Sequence, residues 1–147
     1  MDEMNQLKVF TADEVNRLLP KLTEMLMELQ VKQETILAKE AQIDALELLY
    51  PSPGEGEGPS PEVAKEIEIY NECVNRFYEL IDEIHGMGCF LKDAEMGLVD
   101  FYTVYQGRVV YLCWKLGESE VGFWHEVGRG YTYRQPLIRE DEKESSG

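Results

Sequence analysis

Residues 98 to 114 read LVDFYTVYQGRVVYLCW. Two runs rich in β-branched and aromatic side chains flank Gln106-Gly107, a dipeptide suited to a tight reversal, so this stretch predicts an antiparallel β-hairpin. It decides the fold class because the chain before it is written in a helical period. The run VGFWHEV at 121 to 127 predicts a further strand, reached through Leu116 to Glu120, and Cys89 to Lys92 adds a short piece beside the hairpin. The expectation is an α+β fold, in which a small antiparallel sheet packs one face on a long antiparallel helical hairpin.

The helices are announced upstream. Thr11-Ala12-Asp13-Glu14 fits a capping box, with Phe10 placed to staple onto the first turn. Val15, Leu22, Leu29, Ile36, Ile43 and Tyr50 follow at seven-residue spacing, with Leu18, Met25 and Leu46 three residues behind members of that series. This is a coiled-coil-like seam. Lys32 and Lys39 interrupt it, so the middle of this helix either packs less tightly or faces acidic groups opposite. Pro20 inside the pattern predicts a kink near the first turns, because it removes a backbone donor and crowds the preceding turn. PSPGEGEGP at 51 to 59 has no apolar residue and is expected to be a mobile loop over 51–60. Ser60-Pro61-Glu62 restarts a helix, Ser as cap and Pro at the first helical position. Val63, Ile67, Tyr70, Val74, Phe77, Ile81 and Ile84 then alternate steps of four and three up to Gly86 and Gly88. His85 sits where a basic group suits the negative end of the helix dipole. Helices of this length beside so short a sheet also predict a homodimer through the helices.

The 147 residues suit one domain, expected over 1–138: the hairpin at 11–87, the β-rich segment at 88–138, and a disordered acidic tail at 139–147. Net charge is −15. Nucleic acid and anionic membranes are therefore not expected as partners, since phosphate backbones are held by clustered Lys and Arg. The charge is uneven. Residues 1–85 hold 7 basic and 19 acidic groups, whereas 86–138 hold 5 and 6. The second stretch is where a small anion can approach, with Arg108, Lys115, Arg129 and Arg134 at hand. Cys73, Cys89 and Cys113 are odd in number and lack CxxC spacing, which argues against a disulfide framework or a thiolate zinc knuckle. The N-terminus has acids where a secretory signal needs positive charge, and no apolar run approaches the roughly 18 residues a bilayer requires. A soluble cytoplasmic protein is the expectation.

Chemistry is concentrated between residues 93 and 136. In a strand, Trp124 and Glu126 point to one face and His125 shares the other with Phe123 and Val127. His125 is read as a hydrogen-bonded core residue, a metal or ligand contact, or a proton-transfer group. Asp100 lies between Val99 and Phe101, where it either projects into solvent or, if buried, needs a partner; His125, Arg134 and Lys115 are the candidates. Asp93, Glu95 and Glu118 extend the set of acids available to one imidazole. His125, Asp100 and Glu118 together suit a hard or borderline divalent metal, although no paired-histidine spacing accompanies them. Cys113, between Leu112 and Trp114, is a small buried hydrophobe or a nucleophile that needs His125 as its base. Glu118 is a turn residue or a site acid. Gly128-Arg129-Gly130 and Arg134 offer an anion contact, and Trp114 and Trp124 supply aromatic walls. GxGxxG and GxxxxGK[ST] are both absent.

GLVDF at 97 to 101, YLCWKLGE at 111 to 118, WHE at 124 to 126, Gly130 with Arg134, and FTADEVNRLLPKL at 10 to 22 together resemble the bacterial DUF2203 family over nearly the whole chain. The resemblance implies a domain boundary and a set of positions worth testing, and brings no activity with it. Family members commonly carry Pro after VDF where this chain has Tyr102, a departure that bears on strand geometry. The function expected is a noncatalytic small-ligand-binding or regulatory module, with a polar pocket of Asp100, Glu118, His125 and Arg134 in the sheet. The alternatives are a small metal-dependent or thiol enzyme using His125, Asp100, Glu118 and Cys113, and a protein–protein adaptor built on the hairpin.

Overall fold

The computed structural model describes residues 8–51, 54, 56 and 58–138. Helix α1 spans Ala12–Leu49, α2 Pro61–Gly86, and five strands follow: β1 Phe90–Asp93, β2 Leu98–Tyr105, β3 Arg108–Lys115, β4 Phe123–His125 and β5 Gln135–Pro136. A single 3-10 turn, Tyr131–Tyr133, precedes β5. The α+β class therefore holds. Contacts divide the chain into two compact units, Met1–Leu26 with Ile84–Gly147, and Met27–Glu83. Among the described residues no helix is long and apolar enough to cross a membrane. The expected disordered tail at 139–147, and Ser52, Pro53, Glu55 and Glu57 of the expected mobile loop, lie outside the described residues.

In the first unit, α1 starts as its sequence dictates. The Thr11 amide donates to Glu14 Oε1 at 2.8 Å and the Glu14 amide to Thr11 Oγ1 at 3.1 Å, which closes the capping box. The buried stripe that follows is Val15, Leu19, Leu22 and Leu26, at steps of four and three, joined by Met25, and Leu29 continues the series in the second unit. Leu18 is only half-buried. The seam thus drifts from the strict heptad because a straight helix turns every 3.6 residues, not every 3.5. The helix also continues unbroken through Pro20, which is exposed.

The five strands form an antiparallel meander in chain order, β1-β2-β3-β4-β5. Gln106 (φ 53°) and Gly107 (φ 81°) both take left-handed conformations, as the two central residues of a type I′ hairpin turn require. One sheet face is apolar: Val99, Phe101, Val110, Leu112, Trp114 and Trp124 are all buried. Phe10 packs edge-on against Phe101 with centroids 5.2 Å apart, and its amide donates to the Tyr102 carbonyl at 2.8 Å. The Val121 amide donates to Asn16 Oδ1 at 2.7 Å. Burying each such aliphatic side chain contributes about 1.5–3 kcal/mol. Gly97 permits the β1–β2 turn to approach Leu116, whose Cβ would lie 2.5 Å from any added Cβ.

The second unit pairs Met27–Leu49 of α1 with the part of α2 up to Glu83. Arg76 grips both oxygens of Glu28 at 2.9 and 3.0 Å, Lys39 meets Glu66 at 2.7 Å, and Tyr70 Oη donates to Glu40 Oε2 at 3.1 Å. Glu28, early in this stretch of α1, meets Arg76, whereas Lys39 and Glu40 farther along meet the earlier α2 residues Glu66 and Tyr70, so the two run antiparallel. The acidic group opposite Lys39 is Glu66. The Val63 amide donates to Ser60 Oγ at 3.4 Å, as the predicted cap requires. The face of α1 away from Leu29, Ile36 and Ile43 also carries apolar residues: Met27, Val31, Leu37, Leu48 and Leu49 are each more than half exposed.

Candidate functional site

The sheet register builds the site. Asp100 on β2 is the direct cross-strand partner of Cys113 on β3, and β4 sets His125 opposite Tyr111 and Phe123 opposite Cys113. Side chains alternate along a strand, so Asp100, Tyr102, Tyr111, Cys113, Phe123 and His125 share the face opposite the apolar one. Cys113 and His125 are diagonal neighbours on adjacent strands rather than a facing pair. Asp100 reaches over β3 to His125, whose Nε2 lies 3.0 Å from Asp100 Oδ2. Asp100, Cys113 and His125 are exposed by 2%, 0% and 1%, which makes them core residues by accessibility although all three are ionisable.

The second ring nitrogen fixes the protonation pattern. His125 Nδ1 is 3.0 Å from the Glu126 carbonyl oxygen, which can only accept, so Nδ1 carries a proton. A hydrogen bond at the Nε2–Oδ2 contact then needs a proton on one of those two atoms. Asp100 Oδ1 is buried without a hydrogen-bond partner. Leaving such an atom unsatisfied costs about 1–3 kcal/mol, and more when it is charged. Lys92 Nζ lies 3.4 Å from Asp100 Oδ2 and 4.2 Å from the Tyr111 ring centroid. Alternation along β1 sets Lys92 on the same face as Phe90, the cross-strand partner of Asp100, and the β1–β2 register shifts between Leu91 and Asp93.

Cys113 sits where a thiolate is disfavoured. Burial, followed by the negative Asp100 carboxyl, pushes its thiol up to about 12 against the opposing pull of Arg134. Tyr111 is likewise raised to about 12, by burial and then by the Tyr102 hydroxyl. Arg134 approaches Cys113 Sγ at 4.0 Å, yet its main partner is Glu118, at 3.3 and 2.6 Å through two nitrogens. The guanidinium also lies 3.9 Å from the Phe123 ring centroid and 4.6 Å from that of Tyr131. It is thus neutralised and sandwiched, a wall of the site with its charge already matched.

Glu118 is held by the sheet as well. Its Oε1 accepts from the Lys115 amide at 2.9 Å and its carbonyl from Trp114 Nε1 at 2.9 Å. Of the residues singled out from sequence, Asp100, Cys113 and His125 converge, and Arg134 links Cys113 to Glu118. Trp114 and Trp124 lie on the apolar face. Asp93 caps the β1–β2 turn by accepting from the Met96 amide at 2.9 Å. Arg108 pairs with Glu126 and stacks 5.4 Å from the Trp124 ring centroid. His85 is exposed in the last turn of α2. Lys92, Tyr102 and Tyr111 complete the surroundings of Asp100 and were not legible as site residues. A separate hollow of about 230 Å³ in the helical unit, lined by Glu47, Tyr50, Pro51, Pro59, Ser60 and Val63, gathers no comparable chemistry.

Fold and site together define a class: a helical-hairpin α+β protein whose sheet carries a buried carboxyl–imidazole–thiol cluster on the face away from its apolar packing surface. The chain belongs to the DUF2203 family, described as an uncharacterized conserved protein, whose model matches residues 8–137. No curated protein and no solved structure matches it.

Proposed function

We propose that this protein is a noncatalytic binding module whose sheet encloses a small ligand at Asp100 and His125. The observation that carries this reading is the buried Asp100 Oδ1, which has no hydrogen-bond partner among the described residues although Oδ2 and both His125 ring nitrogens have theirs. Folded proteins rarely leave such an acceptor empty unless something completes it. The other features argue against a thiol enzyme. Cys113 is held as the neutral thiol, both His125 nitrogens are engaged, and side chains exposed by 2% or less give an organic substrate no surface to meet. The ligand is therefore an ion or a molecule of few atoms. The free cysteines accord with a reducing cytoplasmic setting. The −15 charge keeps nucleic acid off the list of partners.

Thermal unfolding of the full chain against a panel of monovalent cations, divalent cations and small anions tests the proposal. One class should raise Tm in the wild type and fail to do so in a folded Asp100→Asn variant; ligand at a hundred times Kd is worth about 2.7 kcal/mol. A panel that moves neither protein would leave the cluster as internal scaffolding. A second reading, a homodimer or adaptor docking through α1, is favoured by the exposed Met27, Val31, Leu37, Leu48 and Leu49. Light scattering on the wild type and on Val31→Glu/Leu37→Glu decides it: loss of a dimer in the variant supports it, and a monomeric wild type refutes self-association.

A further inference from the structure

We propose that the ligand of this site is a borderline divalent transition-metal ion of the zinc type, bound by Asp100, Cys113 Sγ and His125 Nε2. The inference rests on the binding-module reading above and names its ligand. One donor atom from each of the three residues can be chosen so that all lie within 4.8 Å of one another, and all three residues are buried. A mixed oxygen, sulfur and nitrogen set selects a borderline cation over magnesium or calcium, which prefer oxygen alone. Asp100 Oδ1 is a buried carboxylate oxygen with no hydrogen-bond partner among the described residues.

The surroundings match what such a site needs outside its ligands. Histidines that bind metals through one nitrogen commonly donate from the other to a carbonyl or carboxylate, which fixes the ring, and His125 Nδ1 does so to Glu126. Lys92 supplies the cation that the carboxyl keeps when no metal is bound: its side chain is 38% exposed, so the ammonium can swing to solvent. Glu118, the acid that sequence spacing nominated, is taken by Arg134 and the Lys115 amide, and Cys113 stands in its place. On binding, the Cys113 S–H bond breaks and its proton leaves to solvent as the metal–sulfur bond forms. The proton at the Nε2–Oδ2 contact leaves likewise, freeing Nε2 to ligate. Three protein donors leave a fourth tetrahedral position for water.

Cobalt(II) is the probe, because its thiolate complexes absorb by charge transfer and its tetrahedral complexes by intense visible bands. Full-length wild type, Cys113→Ser, Asp100→Asn, Cys73→Ser and Lys92→Met are titrated with cobalt, with Trp fluorescence reporting the fold of each. The expected result is saturable charge-transfer and visible bands in wild type and Cys73→Ser. Cys113→Ser should lose the charge-transfer band, Asp100→Asn should bind at least about tenfold more weakly, and Lys92→Met severalfold more tightly. A wild type without bands, or bands that persist in Cys113→Ser, overturns the metal assignment. Should the thermal panel still detect another ligand that needs Asp100, the binding-module reading stands without the metal; should it detect none, both fall.

Discussion

Replacing His125 with Ala removes the ring that partners Asp100 Oδ2 at 3.0 Å and leaves Lys92, at 3.4 Å, as the remaining ionic contact of a carboxyl that is 2% exposed. Stripping one partner from a buried pair costs about 3–5 kcal/mol, because the survivor is charged and dry. Asp100→Ala removes the group that the ring serves and should cost about 1.5–3 kcal/mol, the worth of a hydrogen bond to a charged group. In the double variant no carboxyl remains to be stranded, so that penalty is relieved and the combined cost should fall short of the sum of the two single costs. The expected coupling energy is about 2 kcal/mol. Urea unfolding with chelator present, followed by Trp fluorescence, measures this directly, since both tryptophans of the chain, Trp114 and Trp124, lie in the sheet. Costs that add to within about 0.5 kcal/mol would show that the two residues do not act as a pair and would refute the hydrogen bond between them.

Three further outcomes are expected. A thiol reagent near neutral pH should modify Cys73, which is partly exposed, well before Cys89 and Cys113, which are buried and raised to about 11 and about 12; equal rates would contradict their burial. Stability should fall as pH rises above about 9, the ordinary thiol value, through 12: the unfolded chain releases the Cys113 proton while the folded one keeps it, at a slope of about 1.4 kcal/mol per pH unit, and Cys113→Ala should flatten the decline. Thr11→Ala should cost about 1 kcal/mol by opening the capping box at the start of α1, and an unchanged urea midpoint would contradict that role.

Strand alternation was enough to place His125 with Phe123 and away from Trp124, and to single out Asp100 as a carboxyl in need of a partner. What the sequence could not supply was register. Whether Asp100 faces Cys113 or a residue one place along depends on the hairpin turn at Gln106-Gly107, and a slip of one residue would have sent the carboxyl to the opposite face. Glu118 passed for a candidate ligand because its partner Arg134 is brought in by β5, a two-residue edge strand ending in Pro136 and too short to leave a periodic signal. Lys92 was hidden because the pairing of FLKD with β2, which sets Phe90 opposite Asp100, has no signature in four residues. In the helices, apolar spacing and cap residues gave the elements correctly, and the buried stripe departs from the heptad at Leu19 and Leu26 because helical geometry, not the sequence repeat, sets which side chains are buried.

The measurement closest to the central claim is the metal content, by elemental mass spectrometry, of untagged protein purified without chelator and of its Asp100→Asn variant, each checked for fold by Trp fluorescence. The buried carboxyl–thiol–imidazole site predicts zinc or a similar metal near one per chain in the wild type, and less than about a tenth of that in the variant. A folded wild type that carries no metal and takes none up on dialysis against zinc would contradict it.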